Sequence, residues 1–201
     1  SELEFDNTAG GRNIAVVASD VGGTLDYNGG AGTDLVSVGS TAKTGTLEID
    51  LGDDSAKDIV LFDGEVSAVT DKRHTLSNFD FADGDLLVIP GVTTATVTTT
   101  VDGVVLEAGV DPGTSSSYTR LFIEGAATSD FNLSQALVPA VGLIVNGSSI
   151  SDLGDVWVDE LHSSLTSIVG TSGDTIVGLS PLDGYGSGVA ATIDLSAGGD
   201  N

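Results

Sequence analysis

Gly29-Gly30-Ala31-Gly32-Thr33-Asp34-Leu35-Val36-Ser37 spaces three glycines, a carboxylate and a large apolar residue in an order suited to holding a cation. The glycines let a turn adopt backbone angles closed to other residues and aim the Gly30 and Gly32 carbonyl oxygens inward, Asp34 adds a carboxylate, and Val36 points into a core from the strand that follows. Asp80, Asp83 and Asp85 are grouped around Gly84, and Asp174 follows Gly173 in Val169-Gly170-Thr171-Ser172-Gly173-Asp174-Thr175-Ile176-Val177-Gly178. Gly30, Gly32, Asp34, Asp80, Asp83, Asp85 and Asp174 are therefore the candidate metal ligands. The 80–85 group is not an EF-hand loop, because no bidentate Glu follows at the required distance and no helices flank it. Gly52-Asp53-Asp54-Ser55-Ala56-Lys57-Asp58 lacks the second and third glycines, and Asp53, Asp54 and Asp58 read as a solvated acidic edge that hinders unwanted strand pairing.

Composition narrows the metal. The chain has no Cys and no Met, so disulfides and thiolate sites are excluded and hard oxygen ligands are what remains for a metal. Of its 30 acids, 23 are Asp and seven are Glu, and many Asp sit beside Gly in expected turns. Short carboxylates held in turns suit chelation, whereas a salt-adapted surface, the other reading of this charge, would be expected to use Glu as freely. Against six Lys and Arg the formal net charge is −24, so a nucleic acid would be repelled.

Residues 29–37 match Gly-Gly-x-Gly-x-Asp-x-U-x, where U is large and apolar, at every specified position. In this the chain resembles the calcium-binding repeat of the RTX (repeats-in-toxin) family, whose parallel β-roll holds calcium between the turns of successive coils. Leu76-Ser77-Asn78-Phe79-Asp80-Phe81-Ala82-Asp83-Gly84-Asp85-Leu86-Leu87-Val88 is similar to the segment that often follows such repeats. Residues 169–178 look like a repeat entry with one acid where the family commonly has two. The resemblance covers residues 24–88 and 166–201 and implies a calcium-stabilised fold.

The elements that must position these groups are short strands. Ile14 to Val17, Thr24 to Tyr27, Leu35 to Val38, Thr46 to Leu51, Ile59 to Phe62, Leu86 to Ile89, Ala95 to Val101 and Val104 to Leu106 are β-rich runs separated by Gly, Asp or Asn. Thr24 to Gly39 parallels Thr46 to Phe62 with a period of about 22 residues, in the range of stacked coils. The expected fold is all-β: a parallel β-roll or β-solenoid, with a β-sandwich as the alternative. Residues 1–106 form the roll, 107–165 an inserted or capping segment, and 166–201 a return to the strand-turn pattern. Within 107–165, Ser129-Asp130 caps a short helix running to Leu137 and ended by Pro139, and Asp159 to Leu165 is a second helical turn.

The two ends add a further expectation. Ile193 to Asn201 followed by Ser1 to Asn7 aligns without a gap on Ile49 to Gly64, with Ile, Asp, Leu, Phe and Asp recurring at the same offsets. That is the pattern of a repeat cut in half, and it makes Leu3, Phe5, Ile193 and Leu195 the expected contacts between one copy and the next. The absence of an initiator Met suggests a processed chain or an excised segment. No run is long and apolar enough to enter a membrane; the longest, Ala136 to Val145, contains Pro139 and Gly142.

Catalytic patterns are thin. No Gly-x-Ser-x-Gly elbow or His-Glu-x-x-His helix occurs, and nothing selects one pair of carboxylates for glycoside hydrolysis. Lys72-Arg73-His74, the one basic cluster, reads as a salt-bridging contact or an exposed turn, and His162, beside Glu160 and near Trp157, as part of a packed interface. The chain is thus expected to be an extracellular or cell-surface structural protein and not an enzyme, assembling head to tail with itself as a filament, surface layer or adhesin array. The alternative is a carbohydrate-binding or adhesion β-sandwich whose 107–165 face carries Trp157 or Tyr118.

Overall fold

The computed structural model describes residues 2–6, 11, 13–17, 23–38, 46–62, 74–109, 118–139 and 142–147, and the backbone of four later strands between 156 and 194. The chain divides into two compact units, Ser1–Ser148 and Ser149–Asn201. Both are described by β-strands with little helix. The boundary expected at residue 106 falls inside a strand.

In the first unit eight strands run in sequence: β1 (Glu2–Asp6), β2 (Asn13–Val17), β3 (Thr24–Asn28), β4 (Asp34–Val38), β5 (Thr46–Asp50), β6 (Ile59–Phe62), β7 (His74–Ser77) and β8 (Leu86–Pro90). Odd strands lie in one sheet and even strands in the other, and each pairs in parallel with the strand two before it. Parallel neighbours cannot be joined by a tight hairpin, so the chain crosses to the opposite sheet between them. Glu2 lies opposite Thr24 and Thr24 opposite Thr46, in line with the repeat read from residues 24–39 and 46–62.

The sequence pattern in the odd strands explains the layering. Thr24-Leu25-Asp26-Tyr27-Asn28 and Thr46-Leu47-Glu48-Ile49-Asp50 alternate polar and apolar residues, and Leu25, Tyr27, Leu47 and Ile49 are buried while their neighbours are half-buried or exposed. Period-two alternation turns one face to the interior. Val36, Val38, Val60, Phe62, Leu87 and Ile89 of the even strands meet them from the other side, forming one apolar layer between the sheets.

After β8 the architecture changes. β9 (Thr94–Thr99), β10 (Gly103–Gly109) and β11 (Tyr118–Glu124) form an antiparallel run, joined to β7 through a parallel β11 pairing, and complete a seven-stranded sheet. The helix expected from 129 to 137 is instead a 3-10 turn at Thr128–Asp130, one α-helical turn, α1 (Leu133–Ala136), and a two-residue strand, β12 (Leu137–Val138). Asn132, not Ser129, precedes α1, and the Leu137 backbone is already extended. β12 and β13 (Gly142–Val145) extend the six-stranded sheet antiparallel beside β8. Ala136, Leu143 and Val145 join the core, with Phe131, Leu133 and Leu137 packed against it.

In the second unit β14 (Val156–Val158) pairs with β16 (Ile176–Gly178), and β15 (Ser167–Val169) with β17 (Thr192–Asp194), both in parallel. Consecutive strands again alternate between two pairings. Asp159 to Leu165, His162, Asp174 and Leu195 lie outside the described residues, and Trp157, Tyr118, Leu3 and Ile193 are described by backbone alone. Among the described residues no helix is long and apolar enough to cross a membrane.

Of the basic cluster, Lys72 and Arg73 lie outside the described residues, and His74 does not stand in an exposed turn. It is 2% exposed at the start of β7, accepts the Leu47 N–H at Nδ1 (3.3 Å), and lies 6.3 Å from the Phe62 ring. This histidine ties β7 to the neighbouring strand β5 inside the core. Strand register also corrects the phase of the repeat at the chain ends. That alignment equated Phe5 with Phe62, whereas pairing sets Phe5 opposite Tyr27 and, through it, Ile49. The pattern Leu3-Glu4-Phe5-Asp6 is that of Leu25-Asp26-Tyr27-Asn28, an odd strand.

Candidate functional site: a buried carboxylate ladder

Three crossings from odd to even strands, β3 to β4, β5 to β6 and β7 to β8, stack on one another, and each of these ends in an acid. Asp34 opens β4, Asp58 immediately precedes β6, and Asp85 immediately precedes β8; their exposures are 0%, 2% and 2%. The register that sets Leu35 opposite Ile59 and Ile59 opposite Leu86 also brings these three into one column. The Asp34 N–H donates to Asp58 Oδ1 24 residues away at 2.7 Å, and the Asp58 N–H donates to Asp85 Oδ1 27 residues away at 2.8 Å. Asp85 Oδ2 takes the Asp80 N–H at 2.8 Å. Each carboxylate thus caps the strand start of the previous circuit, and hydrogen bonds to a charged acceptor of this kind are worth about 1.5–3 kcal/mol each.

The column is bounded at both ends. Asn13 is in register with Asp34 at one end. At the other, Asn146, in the left-handed region at φ 66°, donates from Nδ2 to the Asp85 and Phe81 carbonyls, each at 3.0 Å.

Three stacked carboxylates in a core must resist ionising together. Burial pushes the Asp58 carboxyl from its ordinary 3.8 up to about 7; the Asp34 N–H works against this, and the charges of Asp85, Asp34 and Asp54 add to it. Burial also raises Asp85, opposed by the Asp58 and Asp80 N–H groups and reinforced by the charges of Asp80 and Asp83. The Tyr27 hydroxyl is buried near Asp34, and burial, then the charge of Asp34, hold its ionisation up.

The turn backbone is drawn tight around this column. Gly32 sits at φ +122° and Gly52 at φ +92°, and a Cβ on Gly52 would overlap the Gly30 carbonyl oxygen of the preceding turn. Asp54 Oδ2 accepts the Gly32 N–H, and Asp50 Oδ1 accepts both the Gly52 N–H (3.0 Å) and Asn78 Nδ2 (2.6 Å). The position of a Cβ on Gly29 is crowded by two oxygens, Asp34 Oδ2 and the Leu51 carbonyl. This all-oxygen, acid-rich cradle fits a hard cation such as calcium and offers nothing to a soft metal. Among the described residues no three acidic or imidazole side chains converge as a metal centre, so an ion here would draw on backbone carbonyls as well.

Of the candidate ligands, Asp34 and Asp85 stand in the column, with Gly30 and Gly32 in the turn before it. Asp80 is exposed and Asp83 half-buried in the last crossing. Asp58 is the residue missed. Read as part of a solvated edge, it is the central rung; of the other two acids in that crossing, Asp53 is exposed and Asp54 half-buried. Its signal is an Asx residue followed by aliphatics, repeated as Asn13-Ile14-Ala15, Asp34-Leu35-Val36, Asp58-Ile59-Val60 and Asp85-Leu86-Leu87.

On the outer side of the same crossings a cleft of about 620 Å³ is lined by Asp53, Asp54, Asp80, Glu124 and Asp130 with Asn78, Phe79 and Phe81. Phe81 meets Phe79 and Phe131 edge to face at 5.0 and 5.2 Å. No family model, curated protein or solved structure matches this chain.

Proposed function

We propose that the chain is a calcium-stabilised, non-enzymatic structural protein of the extracellular space or cell surface, with RTX-like β-roll character, that joins copies of itself head to tail. The buried column Asp34–Asp58–Asp85 carries this reading. A core that stacks carboxylates on successive parallel circuits gains most from a cation, since burial raises the Asp58 and Asp85 carboxyls and a cation would favour their ionised form. Strands alternating between two sheets, each paired in parallel with the strand two before, support the β-roll over the β-sandwich.

Calcium, when bound, supplies positive charge and oxygen coordination. Asp34 and Asp58, with the Leu51 and Gly30 carbonyls, are the groups that would hold it, and Asp85 continues the column. The chain's own part is to fix these oxygens on a hydrogen-bonded frame before the ion arrives. Binding to the folded state alone adds about 2.7 kcal/mol of stability at a hundredfold excess over the dissociation constant. On the outer face Glu4 lies opposite Asp26 and Asp26 opposite Glu48, and like charges directly opposite destabilise a sheet.

Assembly is proposed at β1. Among the described residues it is an edge strand, and Phe5 is 40% exposed although Tyr27 and Ile49, its partners along the interior row, are 3% and 1% exposed. The row runs out with an apolar side chain uncovered. A strand of a second copy, in this proposal that containing Ile193 and Leu195, would pair with Leu3 to Phe5 and cover it. Removing residues 1–7 is expected to leave a folded protein that no longer forms ordered polymers in calcium, seen by electron microscopy; ordered polymers from the truncated protein would overturn the seam.

The second reading, glycan binding, is favoured by one observation: the cleft combines Phe81 with carboxylates in the manner of a sugar subsite. Glycan-array binding lost in Phe81→Ala would support it.

A further inference from the structure

The two edges of the seven-stranded sheet are protected in different degrees. β1 carries Glu2, Glu4 and Asp6, and charge is a common guard against unwanted pairing. β9, Thr94-Ala95-Thr96-Val97-Thr98-Thr99, carries none, is half-buried or exposed at every residue, and among the described residues pairs on one side only, with β10. The short β12, at the edge of the other sheet, is followed at once by Pro139. An uncharged open strand six residues long is the least guarded of these three edges.

The strands behind it are electrically quiet as well. Glu107, opposite Thr96, is paired with Arg120 at 3.4 Å, so one of the chain's six Lys and Arg neutralises the acid next to this edge. In a chain of net charge −24 this is a place where a second copy can approach without meeting carboxylates directly.

The backbone direction sets the register. The Thr100 N–H turns back to the Gly103 carbonyl at 2.8 Å. Antiparallel ladders alternate, so Thr98, Thr96 and Thr94 direct their N–H and C=O groups toward β10, and those of Ala95, Val97 and Thr99 point outward. We propose that β9 is a strand-addition site at which a second copy of this chain docks its own β9 antiparallel, about a two-fold axis through Thr96. In that register Ala95 exchanges both backbone hydrogen bonds with Val97 of the second copy and Val97 with its Ala95. Thr94 then lies opposite Thr98 and Thr96 opposite Thr96. Threonine pairs form the outer row, and such cross-strand pairs are favourable. On the inner side Ala95 and Val97, half-buried against the core, extend that row into the second copy. A two-fold contact uses the same patch twice and needs no other surface. It also needs no cation, which separates it from the polymers proposed to form in calcium through β1.

The chain has no cysteine, so a single introduced thiol can cross-link only between copies. Thr96→Cys places two thiols opposite each other at a non-hydrogen-bonded pair, about 4.5 Å between Cα atoms and within disulfide reach. Under mild oxidation in a chelator, Thr96→Cys should give disulfide dimer at least tenfold faster than Val101→Cys, whose site in the adjacent turn is 95% exposed. Thr94→Cys and Thr98→Cys should each be slow alone, because in this register like residues lie roughly 13 Å apart along the strand, and fast when mixed. The trap suits a contact too small to hold a tight dimer unaided. Equal rates at 96 and 101, a maximum at 94 or 98, or cross-linking that appears only in calcium would each overturn the proposal.

Discussion

Strands β1–β8 and β9–β13 belong to one compact unit and share one apolar layer, yet they handle charge in opposite ways. The parallel part repeats its sequence, so an acid in one circuit can recur above and below itself: Asp34 on Asp58 on Asp85 inside, Glu4 on Asp26 on Glu48 outside. In the antiparallel part the acid of β10 faces a base, and Glu107 meets Arg120. Repetition therefore stacks like charges in the first part, while in the second part Glu107 has an opposite charge beside it. The lesson is that a parallel stack amplifies whatever chemistry one circuit carries.

The sharpest way to break this contrast is to remove a rung. Asp58→Ala takes the acceptor from the buried Asp34 N–H, and a cost of about 3 kcal/mol is expected in thermal or denaturant unfolding. Asp58→Asn keeps an acceptor of the same shape without the charge. In a chelator it is expected to be at least as stable as the parent at neutral pH.

The next test is pH. A carboxyl whose folded pKa lies above its unfolded value binds more protons folded than unfolded, so stability is lost as pH rises between the two. With Asp58 moved from 3.8 to about 7 and Asp85 moved in the same direction, chelated protein should be most stable near pH 4 and weaken toward pH 7. A tenfold difference in proton affinity between the folded and unfolded chain is worth about 1.4 kcal/mol. With calcium the trend should reverse, because the ion binds the ionised column. Melts at several pH values with and without chelator decide this, and stability rising toward pH 7 in chelator would contradict the ladder's role.

The antiparallel part should respond least. Glu107→Ala or Arg120→Ala, in a pair whose side chains are 40% and 38% exposed, is expected to cost no more than about 1 kcal/mol, with no change in calcium response. A larger loss would remove the contrast between the two parts.

The all-β class, most strands and the outer rungs Asp34 and Asp85 were legible in the sequence because they rest on local patterns: period-two alternation, glycine turns and a complete nonapeptide. Asp58 was not, since its crossing, Gly52 to Lys57, reaches the same position without the glycine spacing; its burial is imposed by circuits 24 and 27 residues away. β7 was hidden for a similar reason. Lys72-Arg73-His74 looks like a charged turn until His74 and Leu76 are seen to share the inward face with Leu47 and Ile49. The helix read at 129–137 dissolved because Leu137 and Val138 find a strand partner in β13, a tertiary gain that local propensity cannot register.

Calcium titration of thermal stability, parent against Asp58→Asn, tests the central claim most directly. At a hundredfold excess over its dissociation constant, calcium should raise the parent's melting temperature by roughly 5–10 °C, the shift expected of about 2.7 kcal/mol in a chain of this size, and should move Asp58→Asn far less. A parent indifferent to calcium, or a variant that gains as much, would contradict the account.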